Sequence, residues 1–215
     1  ISKWISMGNM GIDRRIYHTF MVSINMQLEK QKLSSISHVS LNSDQLEQNN
    51  NKFLVGEVTE ENTMEIIQWI ILKNENPQPD EVLTLYINST GGSLYDAFAL
   101  IDVMNRSAIP IRTIGIGYLL SAALLIFVSG EKGMRYVGRH TGILSHQFST
   151  ELQGKHHDIK AHLVETNNCN TRMLNILHEA TGLDRKKIQK TLLPPTDVWL
   201  TVDDLLKYNA ADHIY

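Results

Sequence analysis

Apolar and polar residues follow two different periods along this chain, and the periods predict strands and helices in turn. A two-residue period, typical of a half-buried strand, covers residues 22–28, VSINMQL. From Phe53 onward, short apolar runs alternate with stretches in which apolar residues recur every three or four positions. This predicts strands at residues 53–56, 82–89 and 111–117 and helices at residues 64–75 and 93–106. The order strand, helix, strand, helix predicts a mainly parallel sheet with right-handed crossovers and helices on its faces.

The second half of the chain continues this pattern. An apolar run of helix length follows Ser121, and a long helix is predicted at residues 155–180, closed by Gly182. Between and after them the pattern predicts strands at residues 135–138, 142–146 and 198–200, a short basic helix at residues 184–190 and a last helix near residues 203–208. Thr59 with Asn62, and Thr201 with Asp204, have the spacing of helix N-terminal caps.

Helical periodicity also predicts which side chains face the core. We expect an inward stripe in each of three helices. The stripes are Ile66, Ile67, Ile70 and Ile71; Leu94, Phe98, Ile101 and either Val103 or Met104; and Ile159, Leu163, Met173, Leu174 and Leu177.

Composition excludes several classes of protein. The 215 residues suit one domain with a substantial core, and a net charge of −3 provides no footprint for nucleic acid or an anionic membrane. No apolar run is long enough to cross a bilayer, and the first residues lack the apolar core of a signal peptide. The single cysteine, Cys169, excludes an internal disulfide and fits a reducing compartment, so we expect a cytoplasmic or organelle stroma or matrix location. His18 and His38 have no partner at metal-ligand spacing, so no metal site is expected.

One stretch, residues 113–130, carries the strongest chemical signal. A strand-type run passes Gly115 and Gly117 and continues from Ser121 as a helix-type run, so one serine lies where strand becomes helix. The N-terminus of a helix leaves backbone N–H groups free and carries partial positive charge. A hydroxyl held there is well placed to attack a carbonyl, with free amides near the developing oxyanion. The alternative is that Ser121 merely caps a buried helix, a position that serine favours.

A serine nucleophile needs a base, and the base needs an acid that orients it. His146 ends the predicted strand GILS, and Asp197 follows two prolines and precedes VWL. Both lie at element ends, where loops carry function on a rigid scaffold. Each also has a plain structural alternative, because a histidine at a strand end is often structural and an aspartate after prolines often forms a turn.

Five segments in a fixed order resemble the proteolytic subunits of the Clp protease, the ClpP family. They are LYINSTGG, TIGIGYLLSAA, ILSHQF, QGKHHDIKAH and TDVWLTVDDLLKYNAADHI. The resemblance implies an α/β serine peptidase of the ClpP and crotonase-like fold, with a mainly parallel twisted sheet flanked by helices and a protruding strand–helix handle. It implies a peptidase domain at residues 53–215 and a divergent N-terminal segment at residues 1–52, in the place of the family's axial strand and loop region.

The resemblance also implies a role for particular residues. Ser121 would be the nucleophile, His146 the base and Asp197 the orienting acid of a catalytic triad. The oxyanion donors would be the backbone N–H groups of Gly92 and Ala122, with Gly92 allowing close approach to the scissile carbonyl. A peptide would be added as a strand between Gly92–Leu94 and Gln147–Leu152. The substrate-binding residues implied in this way are Gly91, Ser93, Leu94, Gln147, Phe148 and Ser149.

The chain departs from the family pattern at several positions near these residues. Leu119 and Leu120 replace two alanines before the serine, which adds volume unless neighbouring residues are smaller. Phe148 and Thr90 each replace a proline, and Thr196 replaces an arginine that joins contacts between rings in the family. The segment from Ile188 to Asp197 is also longer than in the family.

The resemblance implies the proteolytic subunit of an ATP-dependent protease, a tetradecamer of two stacked seven-membered rings with the active sites inside. The partners implied are further copies of the chain, an AAA+ Clp unfoldase that uses the ATP, unfolded polypeptide substrates and, as an option, related ClpP-like subunits. No cofactor is implied in this subunit, and no nucleic acid or membrane. Two alternatives stay open: a catalytically silent structural subunit of a mixed ring, and a crotonase-type acyl-CoA enzyme, which shares the fold and its paired oxyanion amides.

Overall fold

The structure is a computed structural model that describes residues 49–151 and 153–215. Its strands are β1 (Asn51–Val58), β2 (Leu83–Gly92), β3 (Ile111–Leu120), β4 (Arg135–Val137), β5 (Gly142–Ser145), β6 (Val198–Leu200) and β7 (His213–Ile214). Its helices are α1 (Glu60–Asn74), α2 (Leu94–Arg106), α3 (Ala122–Val128), α4 (His156–Thr181), α5 (Arg185–Thr191) and α6 (Val202–Lys207). Among these helices, none combines the length and apolar character that a membrane crossing requires.

Part of the predicted organisation falls outside the described residues. The strand predicted at residues 22–28, the two histidines His18 and His38 and nearly all of the predicted segment 1–52 lie there. Asn50–Tyr215 form one compact unit, and the predicted domain of residues 53–215 lies within it.

The seven described strands form one sheet in which only the β5–β6 pair is antiparallel. β1, β2, β3, β4 and β7 neighbour one another in that order, while β5 pairs with β3 and β6 with β5. The mainly parallel sheet flanked by helices, predicted from the alternating pattern, is therefore confirmed. Because β2, β3 and β5 are parallel neighbours, their carboxyl ends meet at one edge, where open α/β sheets bind ligands.

Local signals place the helix ends as predicted. Thr59 and Asn62 form a reciprocal capping box at α1, and Thr201 and Asp204 form one at α6. Gly182 ends α4 with a φ of 72°, a left-handed conformation that glycine adopts at little cost.

The core lies between the sheet and the helices, with two departures from the predicted stripes. In α1, Ile71 is 51% exposed and Trp69 is buried instead, so the inward face is rotated by a fraction of a turn. In α2, Leu94, Ile101 and Met104 are buried, whereas Phe98 is only partly buried against the core. All seven residues of α3 are buried, so this short helix is held on every side.

Helix α4 has two halves with different surroundings. Cys169, Met173, Leu174 and Leu177 in its second half are buried, as expected for a helix on the core. In the described structure no residue from His156 to Asn168 is buried, and Leu163, predicted to face inward, is 49% exposed. The first half of α4 therefore extends beyond the core, as a handle would.

A registered row of side chains crosses the sheet on the side opposite the core cluster. Neighbouring strands pair Phe53, Tyr86, Ile114, Tyr136 and His213 in one line. The rings of the first two stack with centroids 4.9 Å apart. The ring of Phe53, in the edge strand β1, is 43% exposed. Ile114 in the middle of this row is only 4% exposed, whereas Phe53 and His213 at its two ends are exposed.

Candidate active site

Ser121 lies in the turn that joins β3 to α3, and its backbone is strained. Its φ of 55° and ψ of −123° are unusual for a residue with a side chain, and such a conformation costs of order 1–3 kcal/mol. Its side chain makes no capping hydrogen bond to α3. The plain role of a helix cap therefore does not explain this serine, whereas a sharp strand-to-helix turn is how hydrolases expose a nucleophile.

The sheet brings the backbones of the three predicted triad residues to the same edge. The N–H of Ser121 donates to the carbonyl of Leu144 in β5, 2.8 Å away. His146 directly follows β5, and Asp197 directly precedes β6. Because the antiparallel β5–β6 pair places Ser145 opposite Val198, His146 and Asp197 come next to each other one step beyond it.

Within the described residues, no hydrogen bond links the side chains of Ser121, His146 and Asp197 to one another. The Nδ1 of His146 donates to the carbonyl of Gln147, 2.5 Å away, and Asp197 is exposed with no hydrogen bond. No hydrogen bond within residues 49–151 and 153–215 links the hydroxyl of Ser121 to the imidazole. A neutral imidazole that donates from Nδ1 has Nε2 as its acceptor, which is the tautomer that a base for serine requires. The carbonyl of Gln147 thus holds the place that an orienting carboxylate occupies in a triad.

The two glycines of the Gly-Gly pair have different neighbours. A Cβ on Gly91 would lie 2.6 Å from the carbonyl oxygen of Leu120, 2.8 Å from the Cβ of Ser121 and 3.1 Å from the N of Ala122. A Cβ on Gly92 would instead lie 2.4 Å from the carbonyl oxygen of Val58 in β1. Gly91 is therefore the glycine that lies against the serine, and Gly92 lets β2 approach β1.

Ala122 contributes a backbone N–H that lies beside Gly91 and makes no hydrogen bond within the described residues. It is the first residue of α3, so its N–H has no acceptor within the helix. The amide of Gly91 is already used, because it donates to the hydroxyl of Ser89 at 3.1 Å. Ser89 is a buried residue that the sequence reasoning missed, although it lies in the INSTGG segment that carried the resemblance.

The Gly91 contact predicts a specific loss of stability. Gly91→Ala should lower the free energy of unfolding by about 1–2 kcal/mol for its φ of 83° and by roughly 1–3 kcal/mol more for the contacts with Leu120, Ser121 and Ala122. Gly133→Ala is the matched control, because Gly133 has a φ of 86° and nothing within 4 Å of its Cβ position. Urea unfolding of both variants measures the difference. Equal losses would show that the space beside the serine is not filled as described.

Some of the other residues predicted to bind the substrate already make contacts within the chain. The N–H of Ser93 donates to the carbonyl of Val58, and its hydroxyl caps α2. The side chain of Leu94 is buried. Ser149 is exposed, and Leu152 lies outside the described residues.

Phe148 uses a hydrogen bond that the family's proline cannot make. Its N–H donates to the Oδ1 of Asn170 in α4 at 2.8 Å, and its ring packs against the core. Proline has no N–H and could not make this hydrogen bond. The hydrogen bond to Asn170 therefore holds the segment after His146 in place of the backbone restriction that a proline ring would impose.

Leu119 fits because its neighbour is small. It is fully buried, and its Cδ1 lies 2.4 Å from where a Cβ of Gly115 would be. The side chain that adds volume before Ser121 therefore occupies space left by a glycine on the same strand, which is the compensation that the sequence left open.

The segment that leads to Asp197 is tied to β5. The hydroxyl of Ser145 donates to the carbonyl of Leu192, and the side-chain amide of Gln147 donates to that of Leu193 at 3.4 Å. The longer connector is thus anchored at its start, and its last residues, Pro195–Asp197, are exposed.

A polar cluster of Tyr95, Glu165 and Arg172 joins α2 to α4. The hydroxyl of Tyr95 donates to Glu165 at 3.0 Å, and Arg172 pairs with the same carboxylate. A hydrogen bond with Cys169, which has the larger effect, and one with Glu165 raise the pKa of Tyr95 to about 12. Tyr95 therefore stays a neutral donor, and the link between the helices does not titrate near neutral pH. The described residues contain no His, Cys, Asp and Glu group suited to hold a metal ion.

The parallel α/β sheet, with a strained serine at the strand-to-helix turn and a Gly-Gly segment against it, corresponds to the ClpP fold. The family model for Clp protease matches residues 34–215. The chain belongs to the Clp protease family. The match begins within the predicted N-terminal segment 1–52, upstream of Phe53, where the resemblance in the sequence became legible.

Proposed function

We propose that this chain is a serine endopeptidase, the proteolytic subunit of an ATP-dependent Clp-type protease. The observation that carries the proposal is the strained turn of Ser121, whose hydroxyl makes no cap while the free amide of Ala122 follows it. The family membership supports a ClpP-type peptidase domain.

The mechanism begins with alignment of the base. His146 accepts the proton of Ser121 at Nε2 as the hydroxyl attacks the scissile carbonyl, and then donates it to the leaving amine. Asp197 takes the place of the Gln147 carbonyl at Nδ1, which requires His146 to leave its present partner. Hydrogen bonds between catalytic groups are often long before substrate binds, so this rearrangement belongs to the working cycle.

The tetrahedral intermediate needs donors near its oxygen. The N–H of Ala122 is free for this role, and the N–H of Gly92 is the second donor in the proposal. The peptide lies as an extended strand between Gly92–Leu94 and the segment that starts at Gln147. Recognition then depends on main-chain hydrogen bonds and on a few pockets, which gives broad sequence preference.

Assembly follows the family pattern in this proposal. Copies of the chain form two stacked seven-membered rings, with the exposed first half of α4 as a contact between rings. An AAA+ Clp unfoldase delivers unfolded polypeptides and uses the ATP, so this subunit needs no cofactor.

A catalytically silent subunit of a mixed ring is the second candidate. The observation that favours it is the engagement of His146 with Gln147 while Asp197 stays exposed.

Incubation of the purified chain alone with short fluorogenic peptides tests the proposal. Hydrolysis that is blocked by a fluorophosphonate is the expected result. Turnover that appears only when a related subunit is added would favour the silent-subunit candidate. Absence of turnover under both conditions would overturn the peptidase proposal.

A further inference from the structure

The strands β2 and β3 lose their regular register over residues 116–118, three to five residues before the nucleophile. Ile87 and Ser89 are two positions apart on β2, but their partners Gly115 and Leu119 are four positions apart on β3. β3 therefore bulges over residues 116–118. A bulge of this kind bends a strand and redirects the residues that follow it.

The side chain of Asn88 occupies the inside of this bulge. Its Oδ1 accepts the N–H of Tyr118 at 3.1 Å. Gly117 has a φ of 67°, and a Cβ there would lie 2.5 Å from the same Oδ1. The amide of Asn88 thus stands in for the β2 backbone groups that a regular ladder would present.

The bulge is also where β3 changes partners. Gly115 is its last residue paired with β4, and Tyr118 is its first residue paired with β5. The carbonyl of Gly115 is held from the other side by the N–H of Gly138 at 2.8 Å and the hydroxyl of Thr141 at 3.2 Å. Asn88 holds the far end of the bulge, from which Leu119, Leu120 and Ser121 continue along β5.

We propose that Asn88 is a positioning residue for the nucleophile, acting through the N–H of Tyr118. A shift of one residue in strand register moves every side chain to the opposite face of the sheet. The hydrogen bond fixes the register in which Ser121 donates its N–H to Leu144 and keeps its side chain out of the buried core. This role rests on the proposed function for its catalytic consequence, but not for its structural one.

Two variants of similar size separate the acceptor from the volume. Asn88→Asp keeps an oxygen that accepts the N–H of Tyr118, and Asn88→Leu does not. In Asn88→Leu, kcat for peptide hydrolysis and the rate of Ser121 acylation by a fluorophosphonate should fall about 100-fold with KM unchanged, because small misplacement of a reacting group has effects of this order. Asn88→Asp should retain the wild-type values. Asn74→Ala, which removes a hydrogen bond to Ser107 far from the serine, controls for loss of stability alone.

Hydrogen exchange of the segment 116–124 is the second readout and does not need activity. Faster exchange of the Ser121 amide in Asn88→Leu, but not in Asn88→Asp or Asn74→Ala, is expected. If the wild-type chain proves inactive while this difference is seen, the proposed function fails and the positioning role stands. Unchanged exchange and wild-type kcat in Asn88→Leu would overturn the positioning role, as would a loss in Asn88→Asp equal to that in Asn88→Leu.

Discussion

Ser121→Ala should abolish peptide hydrolysis, with kcat lower by roughly 10⁴–10⁶-fold. The hydroxyl of Ser121 makes no hydrogen bond in the described structure, so its removal takes away the nucleophile and no stabilising contact. The unfolding midpoint and the oligomeric state should therefore match those of the unmodified chain. Steady-state kinetics with a fluorogenic peptide, alongside thermal unfolding, measures both.

Ser129→Ala is the matched control for this variant. Ser129 lies at the other end of α3, where its hydroxyl donates to the carbonyl of Leu125 at 2.8 Å. Its replacement should leave kcat unchanged. Activity that survives in Ser121→Ala would remove this serine from the mechanism, whatever the control shows.

Arg135→Met should destabilise the fold by about 3–5 kcal/mol. Arg135 is 2% exposed, and its guanidinium makes hydrogen bonds of 2.9 and 2.7 Å to the two carboxylate oxygens of Asp212. The same guanidinium donates to the carbonyls of Val128 and Ala180, so one side chain joins β4 to the ends of α3 and α4. Its removal leaves a partly buried carboxylate without its partner.

Two further variants separate the lost partner from lost contacts. Arg139→Met replaces an exposed arginine four residues later in the chain and should change stability by less than about 0.5 kcal/mol. Arg135→Met combined with Asp212→Leu should recover much of the loss, because an apolar pair leaves no uncompensated charge. A loss in Arg135→Met as small as that in Arg139→Met, by urea unfolding, would contradict the ion-pair account.

The same pair predicts how stability depends on pH. Burial opposes ionisation of Asp212, but hydrogen bonds from Arg135 and Gly133 outweigh it and hold the pKa of the carboxyl below its ordinary value of 3.8. The stabilising contribution is therefore complete above pH 3.8 and is lost as pH falls through the lowered pKa. Asp212→Asn should unfold with a shallower dependence on acid pH than the unmodified chain. Identical slopes for the two proteins would show that Asp212 does not supply this dependence.

Features set by local sequence could be predicted, and features set by contacts between distant strands could not. The caps at Thr59 and Thr201 depend on residues three positions apart, so the spacing was sufficient. The burial of Trp69 in place of Ile71 depends on how α1 lies on the sheet, which a stripe of isoleucines does not specify.

The candidate site divides in the same way. Motif order predicts Ser121, His146 and Asp197 as the triad, and the sheet places their backbones at one edge. The partner of the His146 Nδ1 depends on a side-chain rotation, and the roles of Asn88 and Ser89 depend on a bulge between two strands. Neither the rotation of a side chain nor a bulge between two strands produces a periodic pattern in the sequence.

Reaction of the purified chain with a fluorophosphonate, followed by intact mass measurement and peptide mapping, tests the central claim most directly. The account predicts one adduct per chain, located on Ser121 and lost when His146 is replaced by alanine. An adduct on another residue, or none on a folded and assembled chain, would contradict the claim that Ser121 is an activated nucleophile.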